Sequence, residues 1–317
     1  MNAMLESALA RVVEECDSRA LERDAKAISE NYRLRTGTGK RLLTREGEAA
    51  AYAAARMPAT CAAAEAALGA ALMAYGGEIR SLLDVGAGTG AVSWAADALL
   101  PLERIICLER EEAMHSVGAR LMRDAEGALG GAQWQAFDIT SSDPLPQAEL
   151  VAEGYMLGEL EEGMRIPAAR KLFAAAGKMA LFIEPGTPQG FANLRAVREA
   201  LTKEGAHVAA PCPQGTAACP MAGEDWCHFA VRVQRTKLHK QLKGGDAPYE
   251  DEKYAYLALT KEPPASACGA RVLRHPMIAP GRITLTLCEA GEKRVRAVTK
   301  KDPLWKRARK IGAGDAV

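Results

Sequence analysis

The sequence predicts an α/β protein: a parallel sheet wrapped by helices, with an N-terminal helical region and a C-terminal region that is cysteine-rich, partly β and basic. Three observations predict it. Between Arg80 and Pro185 the short apolar runs SLLDVG, RIICLE, WQAFD, LVAEGY and MALFIEP alternate with helical stretches such as AVSWAADALL and MRIPAARKLFAAAG, the rhythm of strands joined by right-handed helical crossovers. Before them, MLESALARVVEECDSRALERDAKAISENYR repeats its apolar positions at spacings of three and four, as an amphipathic helix does. After about Gly205 this order breaks into a segment rich in Pro, Gly and Cys, followed by a basic tail.

Taken in order, residues 1–75 form the helical region, 76–205 the sheet domain, 206–262 the cysteine segment with a basic helix, and 263–317 a basic β-rich end. Thr44, followed by Glu46 and Glu48, can cap the helix EGEAAAYAAARMPATCAAAEAALGAALMAY, because side-chain oxygens satisfy the free N–H groups of a first turn. LRTGTGKR, residues 34–41, superficially suggests a phosphate loop, but Leu34 stands where Walker A needs Gly and Arg41 where it needs Ser or Thr, so that reading is rejected. DEKYAYLALT reads as helical, GRITLTLC and KRVRAVT as strands, and WKRARK as a basic tail.

The chain has 317 residues, 48% hydrophobic and 26% charged, a globular composition that excludes disorder, collagen and coiled coil. No run approaches the roughly 20 uninterrupted apolar residues a bilayer requires, so no membrane partner is expected. The first 24 residues carry six acids against three arginines, unlike a secretory or mitochondrial leader; the expected location is the bacterial cytoplasm. Eight cysteines occur, and without an export signal a disulfide framework is not expected, which turns attention to metal binding. The net charge of +1 hides an asymmetry: Arg271 to Lys310 holds twelve Lys or Arg against Glu289, Glu292 and Asp302. A second run, HFAVRVQRTKLHKQLK (residues 228–243), has five Lys or Arg and no acid. Two basic runs flanking one cysteine segment favour a polyanion, most simply RNA, with no DNA expected.

Leu82-Leu83-Asp84-Val85-Gly86-Ala87-Gly88-Thr89-Gly90 stands where the first strand ends and a helix begins. Glycine backbone there can turn sharply and approach a ligand, and the helix start offers free N–H donors. Gly86, Gly88 and Ala91 also satisfy a loose dinucleotide fingerprint, so the glycines alone do not separate NAD from another nucleoside cofactor. Asp84, two residues before the first glycine, suits the ammonium of a methionine moiety better than a pyrophosphate. The run resembles motif I of the class I S-adenosylmethionine (SAM) methyltransferases. Glu109, ending the second strand, falls where an acid grips two ribose hydroxyls. Asp138, ending WQAFD, falls where this fold usually contacts the adenine amine. The expected SAM contacts are therefore Asp84, Gly86, Gly88, Gly90, Glu109 and Asp138.

Cys212, Cys219 and Cys227 fall within sixteen residues, and Cys288 closes a later strand. The spacing lacks the paired C-x2-C knuckles of zinc ribbons. Cys-Pro occurs twice, at Cys212-Pro213 and Cys219-Pro220; proline also follows a ligand cysteine in bacterial ferredoxins. Four thiolates from irregular loops fit a four-iron, four-sulfur (4Fe-4S) cluster, with zinc as the alternative and Cys268 as the alternative fourth ligand. Cys16, Cys61 and Cys107 lie in apolar helices or a strand and are expected to be free and buried.

DVGAGTG, FIEPGTPQGF, HVAAPCPQGTAACPMAGEDWCHF, RTKLHKQLKGG, YEDEKYAYL, RVLRHP and ITLTLCEAG, in that order, together with YAAARMPAT at Tyr52–Thr60, resemble the methyltransferase-like family associated with the mitochondrial small ribosomal subunit, which has bacterial members. The resemblance covers most of the chain. It implies a SAM-binding domain, an iron-sulfur cluster on the positions Cys212, Cys219, Cys227 and Cys288, and a role in assembling the small ribosomal subunit on its rRNA. It implies no catalytic residue.

The residues leave the same gap. After the fourth strand, amino-group methyltransferases carry an Asn/Asp-Pro-Pro-aromatic motif, and LVAEGYMLGEL has none. Base C5 methyltransferases need a cysteine nucleophile near that strand, and Cys212 comes two elements later. Tyr155, Glu159 and Glu184 are the nearest polar candidates for orienting an acceptor. Two functions follow: an RNA methyltransferase clamped on small-subunit RNA, or an assembly factor that binds SAM and transfers nothing. A small-molecule methyltransferase would have no use for the basic tail.

Overall fold

A computed structural model of the chain describes residues 3–35, 43–213, 218–221, 225–243, 247–266 and 268–317. Most of the LRTGTGKR stretch lies outside the described residues. The helical region comprises α1 (Ala3–Glu14), α2 (Ser18–Arg35) and α3 (Glu46–Tyr75). There follow β1 (Ser81–Val85), α4 (Ala91–Asp97), β2 (Arg104–Glu109), α5 (Glu112–Met122), α6 (Gly127–Gly130), β3 (Gln133–Ala136), β4 (Ala148–Gly154), a 3-10 turn (Leu157–Glu159), α7 (Glu162–Ala175), β5 (Ala176–Pro185) and α8 (Pro188–Lys203). The rest of the chain forms β6 (His207–Ala210), β7 (Phe229–Gln234), α9 (Lys237–Lys243), β8 (Tyr249–Thr260), β9 (Ala270–Val272), β10 (Met277–Ala279), β11 (Arg282–Glu289), β12 (Glu292–Thr299) and α10 (Trp305–Ala308).

The main sheet runs β3-β2-β1-β4-β5-β8-β6, with β7 also paired to β8. The first five strands are parallel, and β8 enters antiparallel between β5 and β6. This is a doubly wound, Rossmann-like sheet, with the parallel strands that the rhythm predicts. The switch in winding direction lies at β1, between β2 and β4, the place where such sheets open a crevice.

Two differences from the sequence reading share one cause. DEKYAYLALT is a strand rather than a helix, and the sheet continues past Gly205 through β6, β7 and β8. β8 alternates exposed and half-buried positions in its first half and is buried at every position from Tyr254 onward. A central strand covered on both faces loses its two-residue period, so its apolar run reads equally well as a buried helix.

α3 has the length and apolarity of a membrane span, yet its buried residues, mostly alanines, pack on α4, α5 and the sheet. Alanine's small side chain lets the helix pack close against α4 and the sheet. At its start the cap falls on Arg45 rather than Thr44, and Glu48 Oε2 accepts the amides of both Thr44 and Arg45, each at 3.1 Å. The opposite sheet face is covered by α7 and α8.

β9 to β12 form a separate sheet, with β11 between β10 and β12 and also paired to β9. The last residues run along β9: Gly314 donates to Val272 O at 2.8 Å, Val272 to Asp315 O at 2.9 Å, and Val317 to Ala270 O at 2.8 Å. The C-terminus is thus a structural part of this sheet.

Candidate functional site

A cleft of about 540 Å³ opens at the C-terminal ends of β1, β2, β4 and β5, bounded above by α3. Its first wall is the glycine loop. Gly86 has φ +66°, and a Cβ there would lie 2.5 Å from Met156 Cγ, so only glycine lets the strand turn under the β4 tip. Gly88 donates its amide to Glu109 Oε2 at 2.7 Å, and Glu111 donates to Glu109 Oε1 at 2.8 Å. Glu109 is buried, which raises its pKa against the pull of these amides. Thr89 also lines the cleft, and its buried hydroxyl has no hydrogen-bond partner among the described residues, a polar atom left for a ligand.

Of the six expected cofactor residues, Gly86, Gly88 and Glu109 line the cleft; Asp84, Gly90 and Asp138 do not. Asp84 lies fully buried beneath the loop, opposite Cys107 and Ala152 in register. Its Oδ2 accepts the Ser93 amide at 3.0 Å and the Ser93 hydroxyl at 2.8 Å, which ties the first turn of α4 to the strand. Burial pushes its carboxyl up to about 7. Gly90 is the N-cap residue of α4. Asp138 is exposed and folds its own turn, accepting the Thr140 amide at 2.9 Å and hydroxyl at 2.7 Å, while its neighbours Phe137 and Ile139 face the cleft.

The second wall gathers Tyr155, Glu159 and Glu184, the three polar candidates of the sequence. Tyr155 holds φ +65°, an uncommon conformation for a bulky residue that is fixed here by its amide donating to Ile183 O at 2.7 Å. Glu184 Oε1 accepts from Gly158 N and Oε2 from Asn193 Nδ2, each at 3.1 Å. Arg165 and Gln189 both donate to Asn193 Oδ1 at 2.9 Å and so orient that amide toward Glu184. Behind it, buried Glu153 accepts from Met156, Leu157 and Ile183. Burial pushes both carboxyls up, and repulsion from Glu184 adds to the rise at Glu153.

The sequence reading missed Tyr52, Arg56 and Thr60 of α3, which also line the cleft. Their spacing of four on an alanine-rich helix was the available signal: three polar residues aligned on one helix face.

Cys212, Cys219, Cys227 and Cys288 line a second cavity, of about 50 Å³, with Arg198 and Arg271. Cys268 does not line it. Burial raises Cys212, Cys227 and Cys288, the last to about 12, while Arg198 pulls Cys212 and Cys288 down. Among the described residues no group of three or more His, Cys, Asp or Glu is arranged to hold a metal ion. The cavity thus collects the four thiols without setting them in ligating positions.

The two basic runs fare differently from the sequence expectation. Arg232 is bidentate to Asp251 at 2.8 and 3.0 Å, and Arg235 meets Glu250 at 3.0 Å, both across the β7–β8 pair. These cations are neutralised by the acids of YEDEK. The side chains of Lys237 and Lys243 lie outside the described residues. On the hairpin, Lys293 pairs with Asp225, Arg294 with Glu292 and Arg296 with Asp302. Lys300, Lys301, Lys306, Arg309 and Lys310 are exposed and form no ion pair among the described residues.

Among solved structures, the chain is similar to the plantazolicin methyltransferase BpumL in complex with SAH, at 13% identity over 82% of this chain and 100% of that one, with a TM-score of 0.42. It is also similar to magnesium protoporphyrin IX methyltransferase from Synechocystis, at 13% identity over 62% of this chain and 81% of that one, with a TM-score of 0.41. Among curated proteins it is 25% identical over 226 residues to the human mitochondrial ribosome assembly protein METTL17, a match over 66% of this chain and 48% of the human protein. The chain therefore spans about half the length of that relative. Residues 46–317, from the first turn of α3 to the C-terminus, match a single family model, and the chain belongs to that family, described as mitochondrial small ribosomal subunit Rsm22.

Proposed function

We propose that this chain binds SAM in the cleft and acts with the small ribosomal subunit during its assembly, in the cytoplasm, meeting the subunit's rRNA through its C-terminal cations. The observation that carries the reading is the glycine loop bent over Glu109 at the point where the sheet reverses its winding. The family's description and the name of the human relative support the ribosomal partner.

Bound in the cleft, SAM would supply an electrophilic methyl group. Gly86 and Gly88 present no side chain to the ligand, and Glu109, which accepts the amides of Gly88, Glu111 and Arg110, keeps a lone pair for a ribose hydroxyl. The Thr89 hydroxyl would gain a partner. Asp84 acts from beneath, holding the loop to α4, and Asp138 sets the turn that presents Phe137 and Ile139. Tyr155, Glu159 and Glu184 form the wall facing an acceptor.

For the cysteine cavity we propose a 4Fe-4S cluster on Cys212, Cys219, Cys227 and Cys288, with zinc as the alternative. The donor set fits: among the described residues four thiols and no carboxylate line the cavity, and Arg198 and Arg271 would offset the charge of the thiolates. The group would tie the segment after β6 to β11 and so join the two sheets.

Labelled SAM incubated with immature small subunits from a deletion strain tests the reading. Methyl transfer to rRNA identifies an RNA methyltransferase. Binding of both SAM and subunit without transfer identifies a non-catalytic assembly factor, which Gly154-Tyr155-Met156 favours, since it stands where amino-group methyltransferases carry Asn/Asp-Pro-Pro-aromatic. Failure to bind either one refutes the reading.

A further inference from the structure

The polar stripe on α3 faces the cleft from above, and Arg56 is its centre. Arg56 Nη2 donates to Glu252 Oε1 at 3.1 Å, and the Tyr155 hydroxyl donates to the same oxygen at 3.0 Å. These bonds tie the guanidinium to Glu252 on β8, next to the side chain of Tyr155, which follows β4. A guanidinium has five N–H donors in a planar fork suited to carboxylate, and Glu252 engages a single nitrogen of this one. The side chain stays 35% exposed although it lines the cleft. Glu109, Glu111, Glu159 and Glu184 give the walls an acidic character, and among the described residues lining the cleft only Arg56 and Arg110 are cations. Arg110 stands on the Glu109 side, 3.4 Å from Glu111. Arg56 is thus the cation at the far end.

We propose that Arg56 binds the carboxylate at the amino-acid end of the cofactor. The inference rests on the reading of the cleft as a SAM site. Glu109 ends β2, Tyr155 follows β4, and β1 lies between them. Two strand spacings separate the walls by about 10 Å, the reach of a ligand whose ribose sits at Glu109 and whose amino-acid portion crosses the glycine loop. The far end of such a ligand needs a cation, and Arg56 is the residue positioned there.

Calorimetry on the full-length chain tests it with three probes: SAM, decarboxylated SAM, and 5′-methylthioadenosine, which lacks the amino-acid portion. The wild-type chain should bind decarboxylated SAM about ten- to a hundred-fold more weakly than SAM, the range of one charge-assisted hydrogen-bonded pair. Arg56→Gln should lose the same factor for SAM and nothing for 5′-methylthioadenosine, and Arg56→Lys should recover part of it. Glu252→Gln keeps the guanidinium and should still prefer SAM to its decarboxylated form. Equal wild-type affinity for SAM and decarboxylated SAM overturns the proposal, a result that does not depend on any variant folding. So does an Arg56→Gln chain that loses 5′-methylthioadenosine as much as SAM. If the wild-type chain binds neither SAM nor 5′-methylthioadenosine, the cofactor reading itself falls, and this inference with it.

Discussion

The amide of Gly88 donates to Glu109 Oε2 at 2.7 Å, so the turn of the glycine loop and the acid that ends β2 are one unit rather than two separate contacts. Because Glu109 is buried, that bond counts for more than it would in water. Glu109→Ala should release the loop, and hydrogen exchange at the Gly88 amide should accelerate about ten-fold or more, the equivalent of a lost bond to a charged acceptor. Unchanged protection would mean that the loop is held by its own backbone alone.

Asp84 makes a pH prediction. Burial raises its carboxyl to about 7, so the folded chain binds this proton more tightly than the unfolded chain does. Stability attributable to Asp84 therefore falls as pH rises from about 4 to about 7, at up to about 1.4 kcal/mol per pH unit. Asp84→Asn keeps an acceptor for the Ser93 amide and removes the charge. It should melt higher than wild type above pH 7, with the advantage vanishing below pH 4. Since Asp84 does not line the cleft, SAM affinity should change less than three-fold. A large loss of affinity would return Asp84 to direct contact with the cofactor.

Chain purified anaerobically should be brown and contain iron, and Cys288→Ser should lose most of it. Stoichiometric zinc without iron would replace the metal while keeping the ligands. Full iron in Cys288→Ser would shift the fourth ligand to Cys268, which does not line the cavity.

Converting Lys300, Lys301, Lys306, Arg309 and Lys310 to Gln tests the RNA surface better than truncation, because residues 314–317 pair along β9. Five phosphate contacts would give a log-log salt slope of roughly −4 for the wild-type chain. The variant should bind small-subunit RNA with a slope near zero and keep its SAM affinity. An unchanged slope would leave these cations as a solvated surface.

Much of the fold was legible because local pattern and global layer agree: the strands from SLLDV to ALFIEP announce themselves by alternation with helices, and GRITLTLC and KRVRAVT by their β-branched residues. β8 was not, because burial on both faces erased its period. In the cleft, Gly86, Gly88 and Glu109 come together because β1 and β2 are adjacent parallel strands that end side by side, a pairing the alternation of strands and helices already implies. Asp84 was misplaced because the side to which a strand-end carboxylate turns depends on Ser93, nine residues on, and on which sheet face α4 covers. The pairing of Arg232 and Arg235 with acids on β8 required knowing that β7 and β8 are neighbours. Tyr52 and Arg56 lie about 30 residues before the glycine loop, and only the packing of α3 over the sheet brings them to the site.

Titration of the full-length wild-type chain and of Gly88→Val with SAM decides whether the cleft is a SAM site. Gly88 holds φ +58°, where a side chain costs about 1–2 kcal/mol and a β-branched one more, and a Cβ would stand 3.3 Å from Met114 Cε on the cleft wall. The wild-type chain should show saturable one-to-one binding, and a folded Gly88→Val chain should bind at least a hundred-fold more weakly. Equal affinity in the two chains, or no binding to the wild-type chain, would contradict the SAM reading.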